Sequence, residues 1–269
     1  MVTTEQVKKV LITGGTSGLG LDLVNLFLGI GFYVVATGTR DKHPSGASGK
    51  LSYYKVDFSD LENTASVFRR VVNDHVFDIV INNAGILSPA QKKVTKDNNE
   101  YTFQVNFLAH FLVSEMIMQK QNTFKDIRMV TITSPVYKIA GAYIREPETY
   151  NGLKAYSRSK LFQAMMCVHL SKLYGNGRNI FFSFDPGTFG SGIYRMRGSF
   201  FSFLYKIAFP FMRSSSKIAR ALAEILTGEE IIPASIYNFR KDFKPVPVPE
   251  KDVEEAFWRD CSEMISIYL

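Results

Sequence analysis

The sequence predicts one α/β domain built on a doubly wound parallel sheet, with helices on both faces. Short apolar runs and helix-like runs alternate along all 269 residues, without an internal repeat or a linker rich in Pro, Gly or Ser. The apolar runs are continuous rather than alternating, which is typical of parallel strands that are covered on both faces. Undivided α/β domains commonly reach about 250 residues, so we expect a single domain over residues 1–269.

The individual elements follow from the positions of these runs. We expect strands at 8–13, 32–37, 51–56, 77–81, 128–133, 180–184 and near 235–238. We expect helices at 19–28, 61–72, 99–120, 153–174, 200–209 and 216–226, and a turn-rich loop at 41–50. Right-handed crossovers between parallel strands place all strand carboxyl ends along one edge of the sheet, where ligands bind.

The bulk composition excludes several classes of protein. The chain is 46% hydrophobic and 21% charged, which is globular, and its formal charge is +7. This charge suits an anionic cofactor or a lipid surface, but no long basic run accompanies it, so we expect no nucleic-acid partner. No apolar stretch reaches the roughly 18 residues that span a bilayer. Cys167 and Cys261 read as ordinary helical thiols, and with no signal peptide a cytoplasmic location is expected, with membrane association as the alternative.

A glycine cluster follows the first predicted strand, with the spacing Gly14-x3-Gly18-x-Gly20. Such glycines let the backbone turn sharply and approach a pyrophosphate, whose charge the N-terminus of the next helix stabilises. The arrangement predicts a Rossmann-type dinucleotide site, although the cluster alone leaves open a turn without a ligand. The candidate residues here are Gly14, Thr16, Ser17, Gly18, Leu19 and Gly20.

The end of the second strand bears on the choice of cofactor. NAD-binding chains usually carry an acidic residue there, which binds the ribose 2′-hydroxyl. In this sequence Gly38 occupies that position and Thr39 and Arg40 follow, and arginine suits a 2′-phosphate. We therefore predict NADP(H) as the preferred cofactor. NAD(H) is the alternative, which would be favoured if Asp41 rather than Arg40 faced the ribose.

Seven segments in order make the chain similar to the short-chain dehydrogenase/reductase family, in its retinol-dehydrogenase-like branch. These are Thr13–Gly20, Val56-Asp57-Phe58, Asn82-Asn83-Ala84-Gly85, the segment 103–111 around Asn106, Thr133-Ser134, Tyr156-x-x-x-Lys160 and Asp185-Pro186-Gly187. The resemblance implies a catalytic set of Asn106, Ser134, Tyr156 and Lys160. It also implies cofactor contacts from Asp57, Phe58, Asn83, Ala84, Gly85, Tyr156, Lys160, Pro186, Gly187 and Thr188. One departure is Pro135, directly after the serine, which we expect to alter the loop.

The tyrosine needs a separate argument, because Tyr-x-x-x-Lys occurs three times, beginning at Tyr150, Tyr156 and Tyr237. Only Tyr156 begins a run without Gly or Pro, where a helix places the tyrosine and Lys160 one turn apart. A free phenol has a pKa near 10, and a neighbouring ammonium lowers it toward the range in which protons exchange. In the family that Tyr156 and Lys160 resemble, the lysine also holds the nicotinamide ribose.

The catalytic set has further expected roles. By the resemblance, Ser134 holds the substrate oxygen and stabilises developing charge, and Asn106 fixes a water that links Lys160 to solvent. His110, one turn after Asn106, is expected to pack on its helix rather than act as a base. The histidines show no metal-ligand spacing with cysteines or acidic residues, so no metal is predicted.

The C-terminal third is expected to cover the substrate, over about residues 188–230. Residues 199–213 are unusually aromatic and are flanked by cations. Three interpretations stand open: a pocket for a lipophilic carbonyl compound, an interfacial helix that makes peripheral membrane contact, and a buried core helix. The resemblance also implies pairing into a homodimer or homotetramer through the helices predicted at 99–120 and 153–174.

The predicted function is therefore hydride transfer between NADP(H) and a carbonyl or alcohol carbon of a small, lipophilic substrate. Two alternatives remain. One is reduction of a carbon–carbon double bond, because protochlorophyllide reductase has similar motifs. The other is a dinucleotide-binding regulator without turnover, although such a regulator would not require a complete proton-transfer set.

Overall fold

A mostly parallel sheet forms the centre of the computed structural model, which describes residues 7–44, 49–121, 125–141, 149–187 and 214–269. Its strands are β1 (Lys9–Ile12), β2 (Tyr33–Gly38), β3 (Leu51–Lys55), β4 (Ile79–Asn82), β5 (Arg128–Ile132), β6 (Ile180–Asp185), β7 (Ser235–Asn238) and β8 (Phe243–Pro245). The order across the sheet is β3-β2-β1-β4-β5-β6-β7-β8, and only β8 runs antiparallel. The predicted doubly wound fold is confirmed, with the strand order of dinucleotide-binding sheets.

Helices cover both faces of this sheet. They are α1 (Gly18–Gly29), α2 (Leu61–Asp74), α3 (Ala109–Gln121), α4 (Gly152–Tyr174), α5 (Ser215–Thr227) and α6 (Lys251–Ser266). Three shorter pieces are a helical turn at Tyr101–Phe103, a π-helical segment at Gln104–Leu108 and a 3₁₀ helix at Pro135–Ile139. The helix predicted at 99–120 thus begins at Tyr101 and is interrupted by the π-helical segment. The helix predicted at 200–209 lies outside the described residues.

The alternation of side chains along β1 divides the interior into two cores. Val10 and Ile12 point to one face of the sheet and pack with Leu23 of α1 and Leu222 of α5. Leu11 points to the opposite face and packs in the core that includes residues of α2, α3 and α4. Because both faces are covered, the central strands are apolar at successive positions, which is the pattern that predicted them.

The sequence did not predict the last two elements of the fold. Strand β8 pairs with β7, and α6 lies against the helices on one face of the sheet. The contact of α6 is aromatic: Phe257 packs on Phe162 with ring centroids 4.6 Å apart, and Trp258 stacks on His169 at 4.0 Å. The resemblance implies subunit pairing through the helices predicted at 99–120 and 153–174. Within this chain, α6 already covers part of their surface.

Candidate active site

The glycine loop between β1 and α1 lies against the end of β4. Gly14 has a φ of +67°, and a Cβ at this position would lie 2.8 Å from Cα of Ala84. A Cβ on Gly20 would overlap the carbonyl oxygen of Gly14. Gly14 needs to be glycine because its backbone is left-handed and lies close to Ala84. Gly20 needs to be glycine because it lies close to the backbone of Gly14.

The N-terminus of α1 is open to an anion. Ser17 precedes the helix in an extended conformation, and within the described residues no side chain caps the helix and no acidic residue occurs in its first turn. The first N–H groups of a helix have no partner inside the helix and carry partial positive charge. These groups, together with the turn at Gly14, fit the pyrophosphate of a dinucleotide.

Thr13 and Asn83 hold this loop to the sheet. The Thr13 hydroxyl accepts hydrogen bonds from the backbone N–H groups of Asn83 at 2.9 Å and Ala84 at 3.0 Å. The Asn83 side-chain amide donates to the carbonyl oxygens of Thr13 at 2.9 Å and Gly14 at 3.3 Å. Asn83 and Ala84, which the resemblance assigns to cofactor contact, thus also fix the shape of the loop.

His110 connects the glycine loop to the segment that carries Asn106. Its Nε2 lies 3.1 Å from the Thr13 hydroxyl oxygen, and its Nδ1 lies 2.9 Å from the carbonyl oxygen of Asn106. Complete burial lowers the pKa of His110 to about 3, so the ring is neutral near pH 7. A carbonyl can only accept, so Nδ1 carries the proton and Nε2 accepts from the Thr13 hydroxyl. The expected packing of His110 on its helix is confirmed, and the two hydrogen bonds add a link that the sequence does not predict.

Asn106 lies in the π-helical segment Gln104–Leu108, and single π-helical turns are frequent at functional sites. The Asn106 side chain is completely buried. Its Oδ1 accepts from the N–H of Ile86 at 2.8 Å, and its Nδ2 donates to the Ile86 carbonyl at 3.0 Å and to the Ser159 hydroxyl at 3.0 Å. The widened turn thus directs Asn106 across to α4 and to the chain that follows β4.

Lys160 is buried at the centre of the same cluster. Its Nζ donates to the carbonyl oxygen of Ile132 at 3.1 Å and to Oε1 of Gln163 at 2.8 Å. Gly85 lies beside both side chains: a Cβ there would be in ordinary van der Waals contact, 3.5 Å from Lys160 Nζ and 3.4 Å from Asn106 Oδ1. Burial lowers the pKa of Lys160 to about 7, because removal from water disfavours the ammonium form. Lys160 is thus placed to change protonation state near neutral pH.

Tyr156 lies one helical turn before Lys160 on α4. The Lys160 Nζ is 5.7 Å from the centroid of the Tyr156 ring, and the tyrosine is half-buried. Asn151 caps the helix by accepting from the N–H of Lys154 at 3.0 Å, so Tyr150 lies outside the helix. The helical placement that distinguishes Tyr156 from Tyr150 is confirmed.

Ser134 follows β5, the strand that also supplies the Ile132 carbonyl to Lys160. Its backbone is extended, with φ −162° and ψ 150°, and it precedes the 3₁₀ helix as its N-cap residue. Pro135 is the first residue of that helix, a position where a missing N–H costs little. The chain therefore enters a short helix directly after Ser134.

The predicted cofactor site has an adenosine end, which lies within the described residues, and a nicotinamide end, which lies within them only in part. At the adenosine end, Thr39, Arg40 and Asp57 are exposed, whereas the Phe58 side chain is buried against His110 with ring centroids 5.0 Å apart. At the nicotinamide end, Pro186 and Gly187 follow β6, and the Gly187 N–H donates to Asp185 at 2.9 Å. Thr188 and the segment 199–213 lie outside the described residues.

The described ranges contain neither a metal-binding cluster nor a helix that could span a membrane. No group of three or more His, Cys, Asp and Glu side chains in these ranges is arranged to hold a metal ion. None of the helices in the same part of the chain combines the length and apolar character that crossing a bilayer requires. Cys167 and Cys261 are buried on α4 and α6, as expected of ordinary helical thiols.

The sequence reasoning missed two side chains of the cluster. Ser159 binds Asn106, and Gln163 binds Lys160 one turn further along α4. The spacing of Lys160 and Gln163 predicts their contact, since residues three apart in a helix lie on the same face. The bond from Asn106 to Ser159 joins positions 53 apart in the chain, and no local pattern indicates it.

The fold and these contacts define a class: a nucleotide-binding Rossmann domain with a tyrosine–lysine pair at the carboxyl edge of its sheet. The sequence pattern of the short chain dehydrogenase family matches residues 8–193. The chain therefore belongs to the short-chain dehydrogenase family.

Curated relatives support the branch. Human polyprenol dehydrogenase is 27% identical over 69% of this chain and 62% of its own length. Mouse retinol dehydrogenase 14 is 29% identical over 61% of this chain and 56% of its own. The alignments thus span less than two thirds of these two relatives. Mouse retinol dehydrogenase 12 is 27% identical over 97% of this chain and 87% of its own length. The chain belongs to the retinol-dehydrogenase-like branch.

Solved structures support the fold. A 4-hydroxyisoleucine dehydrogenase in complex with NADH has a TM-score of 0.65 and 20% identity, and the match covers 82% of this chain and 91% of that chain. The protein ElxO with NADP bound has a TM-score of 0.66 and 17% identity, covering 87% and 97% of the two chains. The first of these structures contains NADH and the second contains NADP.

Proposed function

We propose that this protein is an NADP(H)-dependent oxidoreductase that interconverts a carbonyl group and an alcohol on a small, lipophilic substrate. The observation that carries the proposal is the pair of buried side chains Lys160 and Asn106, which meet at Gly85 beside Tyr156 at the edge of the sheet where β4 and β5 end. A domain that only bound a dinucleotide would not need a buried lysine there, because burial of an amine is costly.

The residues divide the chemistry among themselves. A bound nicotinamide supplies or accepts the hydride. Tyr156 gives a proton to the substrate oxygen during reduction and takes one during oxidation, and Ser134 donates a hydrogen bond to that oxygen as charge develops. Lys160 in its ammonium form stabilises the Tyr156 phenolate. The carbonyl of Ile132 and Oε1 of Gln163 fix Lys160 in position for this role.

Asn106 has a supporting position in this scheme. Both polar atoms of its side chain are already bound to the chain, to Ile86 and to Ser159. We infer that Asn106 fixes the geometry around Lys160, and that the proton relay implied by the resemblance runs beside this anchored amide.

The preference for NADP(H) is supported by the charges at the end of β2. Arg40 is exposed, whereas the Asp41 carboxylate is bound by Lys55 at 2.6 Å. The Lys55 ammonium lowers the pKa of Asp41, which therefore stays ionised and paired. If Asp41 faced the ribose, it would favour NAD(H). Because Asp41 pairs with Lys55 instead, Arg40 is the side chain that is placed to bind a 2′-phosphate.

The substrate class is inferred from the relatives, whose names specify retinol and polyprenol. Membrane contact through residues 199–213 remains a prediction, because that segment lies outside the described residues. Pairing of two copies through α3 and α4 would meet a surface that Phe257 and Trp258 already cover in part. Any such pairing would involve α6 or the parts of these helices that α6 leaves uncovered.

The test is the substitution Tyr156→Phe, measured by NADPH oxidation and, separately, by NADPH binding. We expect kcat to fall by about 10²–10⁴-fold, with the Kd for NADPH changed less than about threefold. The matched control is Tyr150→Phe, because Tyr150 has the same spacing to a lysine but donates to the carbonyl of Pro89 outside the helix. Turnover retained in Tyr156→Phe, or lost equally in both variants, would refute the assignment.

The choice of substrates separates the remaining alternatives. A panel of lipophilic aldehydes, ketones and enones, assayed with NADPH, distinguishes carbonyl reduction from reduction of a carbon–carbon double bond by the product formed. We expect alcohols from the carbonyl compounds. Binding of NADPH with no turnover on any member of the panel would favour the regulator.

A further inference from the structure

Strand β2 ends at Gly38, where neighbouring side chains leave no room for a Cβ atom. An ideal Cβ on Gly38 would lie 2.8 Å from Cγ2 of Thr16 and 3.2 Å from the hydroxyl oxygen of Tyr53. Contacts below 3.0 Å require the neighbours to move. In NAD-binding sheets this is where a carboxylate binds the ribose 2′-hydroxyl, and the space for it is filled here by Thr16 and Tyr53.

Tyr53 also binds the turn that follows Gly38. It is half-buried on β3, and its hydroxyl donates to the carbonyl oxygen of Arg40 at 2.7 Å. This bond fixes the backbone that carries Thr39 and Arg40 while both side chains remain exposed. The same hydroxyl therefore fills the space in front of Gly38 and orients the arginine.

His43 fastens the other end of that turn to the glycine loop. The ring is buried, and Nε2 lies 2.9 Å from the carbonyl oxygen of Gly15. Because a carbonyl only accepts, Nε2 is the donor. The edge of the His43 ring packs on Tyr53, with centroids 5.5 Å apart and planes at 61°. Residues 39–43 are thus held between β3 and the loop that begins α1.

We propose that Tyr53 and His43 are specificity-determining residues, which exclude a carboxylate at position 38 and hold Arg40 where a 2′-phosphate would lie. The inference rests on the proposed NADP(H) preference and deepens it. Neither residue contacts the phosphate in this scheme, so both act as positioning residues through Arg40 and the turn. Tyr53 and His43 therefore support selectivity between two nucleotides rather than affinity for any nucleotide.

The test is calorimetric binding of two probes that differ only in the 2′-phosphate, adenosine 2′,5′-bisphosphate and adenosine 5′-phosphate. Wild type is expected to bind the bisphosphate at least about tenfold more tightly, as a charge-assisted hydrogen bond to Arg40 implies. Tyr53→Phe is expected to weaken bisphosphate binding about fivefold, which corresponds to one neutral hydrogen bond, and to leave adenosine 5′-phosphate within about twofold.

The matched control is Tyr54→Phe, the same substitution on the next residue of β3. The Tyr54 side chain points to the opposite face of the sheet, where its hydroxyl donates to Asp74 at 3.1 Å. Tyr54→Phe is expected to change neither Kd beyond about twofold. Thermal unfolding of both variants shows that they are folded, and a selective loss in Tyr53→Phe alone supports the inference.

A second variant tests the closed position directly. Gly38→Asp is expected to weaken both probes, because the new Cβ displaces Thr16 in the glycine loop. If Gly38→Asp instead improves binding of adenosine 5′-phosphate at unchanged stability, the position is open and the inference is wrong.

The outcomes separate the inference from the function on which it rests. Wild type that binds both probes equally would refute the NADP(H) preference, and the inference would fall with it. If wild type prefers the bisphosphate and Tyr53→Phe keeps the full preference, the positioning role of Tyr53 and His43 is refuted. The NADP(H) preference itself would then stand.

Discussion

Nε2 of His110 lies 3.1 Å from the Thr13 hydroxyl, so one neutral imidazole joins the dinucleotide loop to the segment that carries Asn106. The hydroxyl is itself fixed by the N–H groups of Asn83 and Ala84. A continuous hydrogen-bonded path therefore runs from the end of β4 through Thr13 and His110 to the Asn106 carbonyl. This path connects the glycine loop with the segment that carries Asn106.

Substitution of His110 by Phe keeps a ring against Phe58 and removes both hydrogen bonds. We expect the variant to be less stable by about 1–3 kcal/mol and to bind NADPH several-fold more weakly, since the loop loses its link to the helix. The control is His169→Phe, because His169 is a half-buried histidine that stacks on Trp258 away from the loop. Urea unfolding and NADPH fluorescence titration measure the two effects. An unchanged NADPH Kd in His110→Phe would contradict the coupling.

His110 should also make the protein sensitive to acid. Its pKa is lowered from 6.5 to about 3 in the folded state, so below pH 6.5 the unfolded chain binds a proton that the folded chain does not. Stability contributed by the neutral ring is full above pH 6.5 and is lost as the pH falls toward about 3. We expect a shallower acid decline of the unfolding free energy in His110→Phe than in wild type. Parallel declines would show that His110 does not titrate in this way.

Lys160 should make the free energy of unfolding depend on pH between about 7 and 10.5. Its pKa is lowered from 10.5 to about 7, so the unfolded chain binds more protons between these values and stability rises with pH across this window. We expect Lys160→Met to be more stable than wild type below pH 7, by at most about 5 kcal/mol, and the difference to shrink toward pH 10.5.

The same variant should lose turnover, because Tyr156 then has no neighbouring ammonium. Lys154→Met is the control, as Lys154 is exposed on the same helix and completes the Tyr-x-x-x-Lys match that begins at Tyr150. Urea unfolding across the pH range and NADPH oxidation measure both effects. A Lys160→Met variant that is less stable than wild type at every pH would contradict the buried charge.

Gly14→Ala tests the close approach between the glycine loop and β4. The alanine would have to adopt a φ near +67° with its Cβ 2.8 Å from Cα of Ala84. We expect a loss of more than about 1 kcal/mol in stability together with a large loss of NADPH affinity. Gly29→Ala is the control: a Cβ there meets nothing within 4 Å, and the helix should gain up to about 1 kcal/mol. Thermal unfolding that ranks the two variants equally would refute the explanation.

Phe257→Ala tests the packing of α6. The side chain contacts the rings of Phe107, Phe162 and Trp258, and its removal should cost about 3–5 kcal/mol. Val253→Ala on the same helix is the control, because Val253 is exposed and its truncation should cost less than about 0.5 kcal/mol. Chemical denaturation measures both. Sedimentation of Phe257→Ala also shows whether the surface uncovered on α3 and α4 then associates.

Much of the fold could be read from local patterns. Most of the strands from β1 to β7 coincide with short, largely apolar runs, and the predicted bounds of all seven differ from the observed ones by a few residues at most. Strand β8 has little local signal, because it is three residues long and ends at Pro245. The spacing of Phe257, Cys261 and Ile265 on α6 is a helical signal that was available.

The sequence by itself determined which residues are chemically competent: the glycine spacing after β1, and a helix that places Tyr156 one turn before Lys160. These are determined locally, because backbone sterics and helical periodicity act between near neighbours. Only the tertiary structure decided how Lys160 meets Ile132, how His110 meets Thr13 and how Tyr53 meets Arg40. Such contacts depend on which strands become neighbours in the sheet, and that order is set by packing of the whole chain rather than by any local spacing.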